Sequence, residues 1–135
     1  MIEITNQPID TQQVIAAAQH PAAGAVNVFI GTIRDSAHEK KVIRLEYEAY
    51  EPMAIAEIQK VLNTASQRWP LLAHAVTHRI GVLQPGDIAV VVAVATKHRK
   101  ESFEAGQFIM DQIKLTVPIF KKEVFEGGEE WVGAL

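Results

Sequence analysis

The pattern of this chain predicts an α+β domain, a largely antiparallel sheet packed against helices. Three observations carry that expectation. Segments rich in β-branched residues or alternating with period two recur between three helical segments, in the order β-α-β-β-α-β-β-α-β. Residues 88–96 (IAVVVAVAT) are apolar on both faces, as a strand in the middle of a sheet must be. The 135 residues, 48% of them hydrophobic and 21% charged, suffice for one domain spanning 1–135 with a buried core.

The elements follow in order. Ile2 to Thr5 alternates weakly and predicts a short first strand. Asp10 or Thr11 can cap a helix through Val14–Ala18, stopped near His20-Pro21. Gly24 to Ile33 (GAVNVFIGTI) predicts a buried strand. The polar stretch Arg34 to Lys41 (RDSAHEKK) reads as a mobile loop. Val42 to Tyr50 predicts a half-exposed strand, with Ile43, Leu45, Tyr47 and Ala49 on one face and Arg44, Glu46 and Glu48 on the other. Pro52 suits the first turn of a helix reaching Arg68, whose expected core contacts are Met53, Ala56, Ile58 and Leu62. Leu71 to Ile80 is the next strand, and the Gln84-Pro85-Gly86-Asp87 turn leads into the central one. A helix over about Lys100 to Val117 ends at Pro118, and Ile119 to Phe125 forms a final strand before Gly127-Gly128.

Composition removes several classes of function. A net charge of −3 argues against a nonspecific partner of nucleic acid or membrane surfaces. No apolar run approaches the roughly 20 residues of a membrane span. The first residues lack the basic start and apolar stretch of a signal peptide, so a cytoplasmic location is expected. Without cysteine there is no disulfide, thiolate metal site, iron–sulfur cluster or cysteine nucleophile. His74 and His78 would stand about 13 Å apart on a strand at roughly 3.3 Å per residue, which disfavours a metal pair. No metal and no cofactor is expected.

Against this acidic balance, cations gather on ordered structure between residues 98 and 123. Lys114 falls at the margin of the buried helical stripe, beside Met110, Ile113 and Val117. It is either partly desolvated there, which favours its neutral amine, or it snorkels to water. Lys121 shares a strand face with Glu123, while Lys122 points the other way; Lys121 and Glu123 meet a common ligand or pair with each other. His98 and Arg99 stand where a strand gives way to a helix start, a place that favours anions, although His98 could simply cap or pack. Arg34 ends the strand that carries Gly31, where the missing side chain permits close approach. Four element ends thus carry cations, which suggests a pocket for an anion.

Several segments together resemble the large, catalytic subunit of molybdopterin synthase. They are residues 29–34 (FIGTIR), 45–50 (LEYEAY) with Met53-Ala54, 78–81 (HRIG), Gly86-Asp87 and 96–99 (TKHR) with Phe103. Residues 111–114 (DQIK) and 118–123 (PIFKKE) complete the ordered set. Phe120 stands where the family often has tryptophan, and Asp87 where glutamate is usual. The resemblance implies an α/β-hammerhead fold and a homodimer of large subunits. It also implies a small ubiquitin-like sulfur-carrier subunit on each, making a heterotetramer. The carrier's thiocarboxylated Gly-Gly tail would supply two sulfurs to cyclic pyranopterin monophosphate, yielding molybdopterin. Mapped onto this chain, substrate contacts would be Thr32, Ile33, Arg34, His98, Arg99, Lys114, Lys121, Lys122 and Glu123. Lys114 would be the principal acid/base and Lys121 would hold the inserted tail. Arg34, His98 and Arg99 would bind phosphate and pterin oxygens. The rival readings are a non-catalytic module that binds a phosphorylated small molecule, and a plain structural dimer.

Overall fold

The chain is described by a computed structural model covering residues 1–134. It contains β1 (Ile2–Thr5), α1 (Thr11–Ala17), β2 (Ala25–Thr32), β3 (Ser36–Ala37), β4 (Lys40–Ala49) and α2 (Glu51–Arg68). These are followed by β5 (Ala73–Arg79), β6 (Gly81–Leu83), β7 (Ile88–Thr96), α3 (Arg99–Thr116), β8 (Ile119–Phe125) and β9 (Gly128–Ala134). The fold is α+β, as expected.

One sheet has the order β1-β5-β7-β2; β1 joins it parallel to β5 and the other pairs are antiparallel. The apolar run at 88–96 is β7, interior to this sheet. Its alternation serves both faces. Val90, Val92 and Val94 face the main core with α2 and α3, while Val91 and Ala93 meet Val14 and Ala18 beneath α1. Asp10 caps α1, its carboxylate accepting from the Gln13 amide at 3.3 Å. The second sheet runs β3-β4-β8-β9, with β6 also paired to β4, so β4 is its backbone.

Five expectations are corrected. The 34–41 stretch holds a tight hairpin, Ser36–Ala37 pairing with Lys40 and Lys41, with His38 and Glu39 at positive φ in the turn. In β4 a register irregularity between Val42 and Arg44 reverses the strand's facing, so Val42 is buried and Ile43 is 44% exposed. The buried stripe of α2 is Ala54, Ile58, Val61, Leu62 and Ala65, whereas Met53 and Ala56 face outward. β2 is an edge strand, and Val26, Phe29 and Ile30 on it are exposed. Finally, β8 is not the last strand: residues 126–127 turn it into β9, with Gly127 at φ +98°.

Candidate active site

Three cations from three elements line one cavity of about 510 Å³: Arg34 just beyond β2, Lys114 in the last turn of α3, and Lys121 on β8. Each is aimed by local structure. The Ile33 amide donates to the Asp87 carbonyl at 3.0 Å and the Gly86 amide donates to the Ile33 carbonyl at 2.8 Å. The exit of β2 is thereby clamped to the 84–87 turn. Asp87 stiffens that turn by accepting from the Gln84 amide at 2.8 Å and lies 3.6 Å from the Arg79 guanidinium. At Gly31 a methyl group would sit 2.7 Å from Val90 Cγ1, so any side chain here would push Val90 or β2 out of place. A register shift at Gly31/Thr32 then re-aims the strand end.

The walls are apolar, with Phe29, Ile30, Ala89, Val90 and Met110, and the floor is polar, with Tyr47 and His78. Neither Tyr47 nor His78 was singled out as a site residue by sequence. Tyr47 reads as one more core position of an alternating strand and His78 as an ordinary strand histidine, and only the register of distant strands brings them here. Burial, and secondly the charge of Glu123, push the Tyr47 phenol up to about 12, so it stays a neutral hydroxyl. Burial pulls His78 down to about 4 against the carbonyl of Arg79, which favours the cation, so its ring is neutral at pH 7. The two rings pack edge to face, centroids 5.2 Å apart.

An adjoining niche of about 80 Å³ shares Thr32, Arg34, Tyr47 and Lys121 and adds Ile33 and Glu123. Glu123 is only 5% exposed; one carboxylate oxygen lies 3.7 Å from the Lys121 ammonium and the other has no hydrogen-bond partner among the described residues. Of the residues named from sequence, Thr32, Ile33, Arg34, Lys114, Lys121 and Glu123 therefore meet around this connected hollow.

The others do not. Lys122 lies on the opposite face of β8, 3.7 Å from both Glu46 and Glu129 and with its ammonium over the Trp131 ring. His98 is the N-cap of α3 without a side-chain capping bond, and Arg99 opens the helix; both are exposed. Fifteen residues separate Arg99 from Lys114, about 22 Å along the axis at 1.5 Å per residue. One chain therefore cannot bring both to one ligand. Lys114 is itself exposed rather than partly desolvated, because it projects past the end of the buried stripe. On its far side a second hollow of about 470 Å³ is bounded by Asn27, Phe29, Phe103, Gly106, Met110 and Asp111, among others.

The family model for the MoaE protein matches residues 4–116. The chain belongs to the MoaE family. Over 131 residues it is 46% identical to the molybdopterin synthase catalytic subunit of Bacillus subtilis (strain 168), covering 97% of this chain and 83% of the relative. Its fold superposes on molybdopterin synthase from Staphylococcus aureus with a TM-score of 0.92 at 40% identity, covering 96% and 95% of the two chains. A chain from the complex of subunits 1 and 2 of the molybdopterin-converting factor of Helicobacter pylori 26695 shares the fold, with a TM-score of 0.77 at 21% identity, covering 97% and 89%. For a MoaE protein, the cationic hollow is the feature that calls for a chemical role. Among the described residues no helix is long and apolar enough to cross a membrane.

Proposed function

We propose that this hollow is where sulfur reaches the pterin: the chain acts as a sulfurtransferase, turning cyclic pyranopterin monophosphate into molybdopterin. The donor is a small ubiquitin-like subunit carrying a thiocarboxylate on its Gly-Gly tail. The observation that carries the reading is the convergence of Arg34, Lys114 and Lys121 on one apolar-walled cavity. Such a site suits a flat, phosphorylated heterocycle, its phosphate met by guanidinium and ammonium donors.

Each side chain then has a task. Arg34 holds the phosphate. Lys121, steadied by buried Glu123, lies beside the carrier tail and neutralises charge developing on its acyl oxygen. The thiocarboxylate sulfur forms a C–S bond at a pterin side-chain carbon, and the departing oxygen takes a proton from Lys114. Water then cleaves the acyl–sulfur bond, leaving sulfur on the pterin and a carboxylate on the carrier. A second carrier repeats the step.

His98 and Arg99 join this chemistry only from a second copy of the chain. The exposed apolar residues of β2 (Val26, Phe29 and Ile30) and Phe103, which borders the second hollow, supply a surface that a homodimer would cover. The test supplies the chain with substrate and thiocarboxylated small subunit. A sulfurtransferase consumes the thiocarboxylate and makes dithiolene. A sensor module binds the phosphate ester without consuming sulfur, and a purely structural dimer shows no ligand-dependent stabilisation at all.

A further inference from the structure

His78 occupies the cavity floor in an unusual state. It is 1% exposed, yet it is among the residues that line the cavity, together with Tyr47 and Val90. Nδ1 lies 2.7 Å from the Arg79 carbonyl oxygen. A carbonyl only accepts, so Nδ1 carries the proton and donates. In a neutral imidazole the other nitrogen, Nε2, is then a lone-pair acceptor. Nε2 is buried and has no hydrogen-bond partner among the described residues. Such an orphaned acceptor is costly to bury unless something donates to it. Every charged side chain lining the cavity, Arg34, Lys114 and Lys121, is a cation. They satisfy an anion and supply no acceptor for a ligand's N–H groups. Besides the Thr32 and Tyr47 hydroxyls, and Glu123 in the adjoining niche, His78 is the side chain of this cavity that offers one.

We propose that His78 is a specificity-determining residue of the pterin site, its Nε2 accepting an N–H of the substrate's reduced nitrogen heterocycle. The Tyr47 ring packs against the imidazole, and the Arg79 carbonyl fixes which nitrogen keeps its lone pair free. The cationic rim would thus bind phosphate whatever it is attached to, while the floor distinguishes a nitrogen heterocycle from other phosphate esters. Burial holds the imidazole in its neutral form at working pH, which keeps Nε2 an acceptor. This inference rests on the pterin reading above.

Two substitutions separate recognition from structure. His78→Asn can place its amide nitrogen where Nδ1 was and still donate to the Arg79 carbonyl, but nothing reaches the position of Nε2. His78→Gln can present an acceptor near Nε2 and loses the donor to Arg79. The full-length chain is titrated calorimetrically with cyclic pyranopterin monophosphate and, separately, with inorganic phosphate. His78→Asn is expected to weaken pterin binding about tenfold or more and leave phosphate binding unchanged, with melting temperature at pH 7 near that of the parent. His78→Gln is expected to keep pterin binding within about threefold while melting earlier. Unchanged pterin affinity in His78→Asn would overturn the assignment, as would parallel loss of both ligands. A parent chain that binds phosphate but not the pterin would instead overturn the parent reading, and this one with it.

Discussion

Tyr47 of β4 and Lys121 of β8 are direct register partners, and both line the same cavity. Two residues further along β8, Glu123 sits on the same face, 3.7 Å from the Lys121 ammonium. Its negative charge is also the second cause, after burial, of the raised Tyr47 phenol. One strand pair therefore mounts an ammonium, a carboxylate and a neutral hydroxyl side by side.

Glu123→Gln tests that wall. The shape is kept and the charge removed, so phenolate formation by Tyr47, followed by its near-ultraviolet absorbance, should begin at lower pH than in the parent. Burial remains, so the midpoint should stay above 10. Sulfur transfer should slow about tenfold as Lys121 loses its carboxylate partner. An unmoved phenolate midpoint would show that the carboxylate charge does not reach Tyr47.

Lys114→Ala should leave folding intact, because the side chain is exposed and makes no ion pair or hydrogen bond among the described residues. Product formation with thiocarboxylated carrier should fall by a factor on the order of 10²–10⁴, the range of a lost general acid. The effect should appear in kcat, with pterin affinity changed much less. Near-normal turnover would remove Lys114 from the proton transfers.

Arg34→Ala should mainly weaken binding, raising KM for the pterin about tenfold to a hundredfold, since a charge-assisted hydrogen bond is worth roughly 1.5–3 kcal/mol. Arg99→Ala should act similarly, although Arg99 stands at the far end of α3 from Lys114. Mixing Lys114→Ala chains with Arg99→Ala chains, at substrate well below the raised KM so that neither turns over appreciably alone, decides how. If a site takes Arg99 from a second copy, mixed dimers contain one site with both native residues, and activity returns to about a quarter of the parent at equal mixing. No recovery after verified subunit exchange would remove Arg99 from the site.

What could be read from sequence was local, and what escaped it was register. The helical step put Lys114 beside Met110 and Ile113, and strand alternation put Lys121 with Glu123; both placements hold. Alternation failed at Ile43 because the irregularity after Val42 shifts the phase by one residue, which no single-strand pattern reveals. In α2, bulky Met53 looked like core, but small Ala54 lies under the packing and Met53 is 59% exposed. His78 and Tyr47 look like interior residues of ordinary strands. Their place at the cavity floor depends on β4 pairing with β8 in one sheet while β5 pairs with β7 in the other. Lys122 was grouped with the site by motif, yet strand geometry aims it at Glu46 and Glu129.

The burial of neutral His78 also makes the fold acid-sensitive in a defined window. Its folded pKa, about 4, lies below the ordinary 6.5, so the unfolded chain takes up a proton where the folded chain does not. A lowered pKa contributes stability present above the unfolded value and lost as pH falls toward the folded one. Between pH 6.5 and about 4 this one residue should cost about 3 kcal/mol, at roughly 1.36 kcal/mol per unit. His74 is lowered too, by burial first and then by the N-terminal ammonium, and adds in the same direction. Urea unfolding at a series of pH values reads the slope, and His78→Asn isolates its share: the variant should lose about 3 kcal/mol less than the parent over this window. A variant as acid-sensitive as the parent would place the lost stability elsewhere, among the carboxylates.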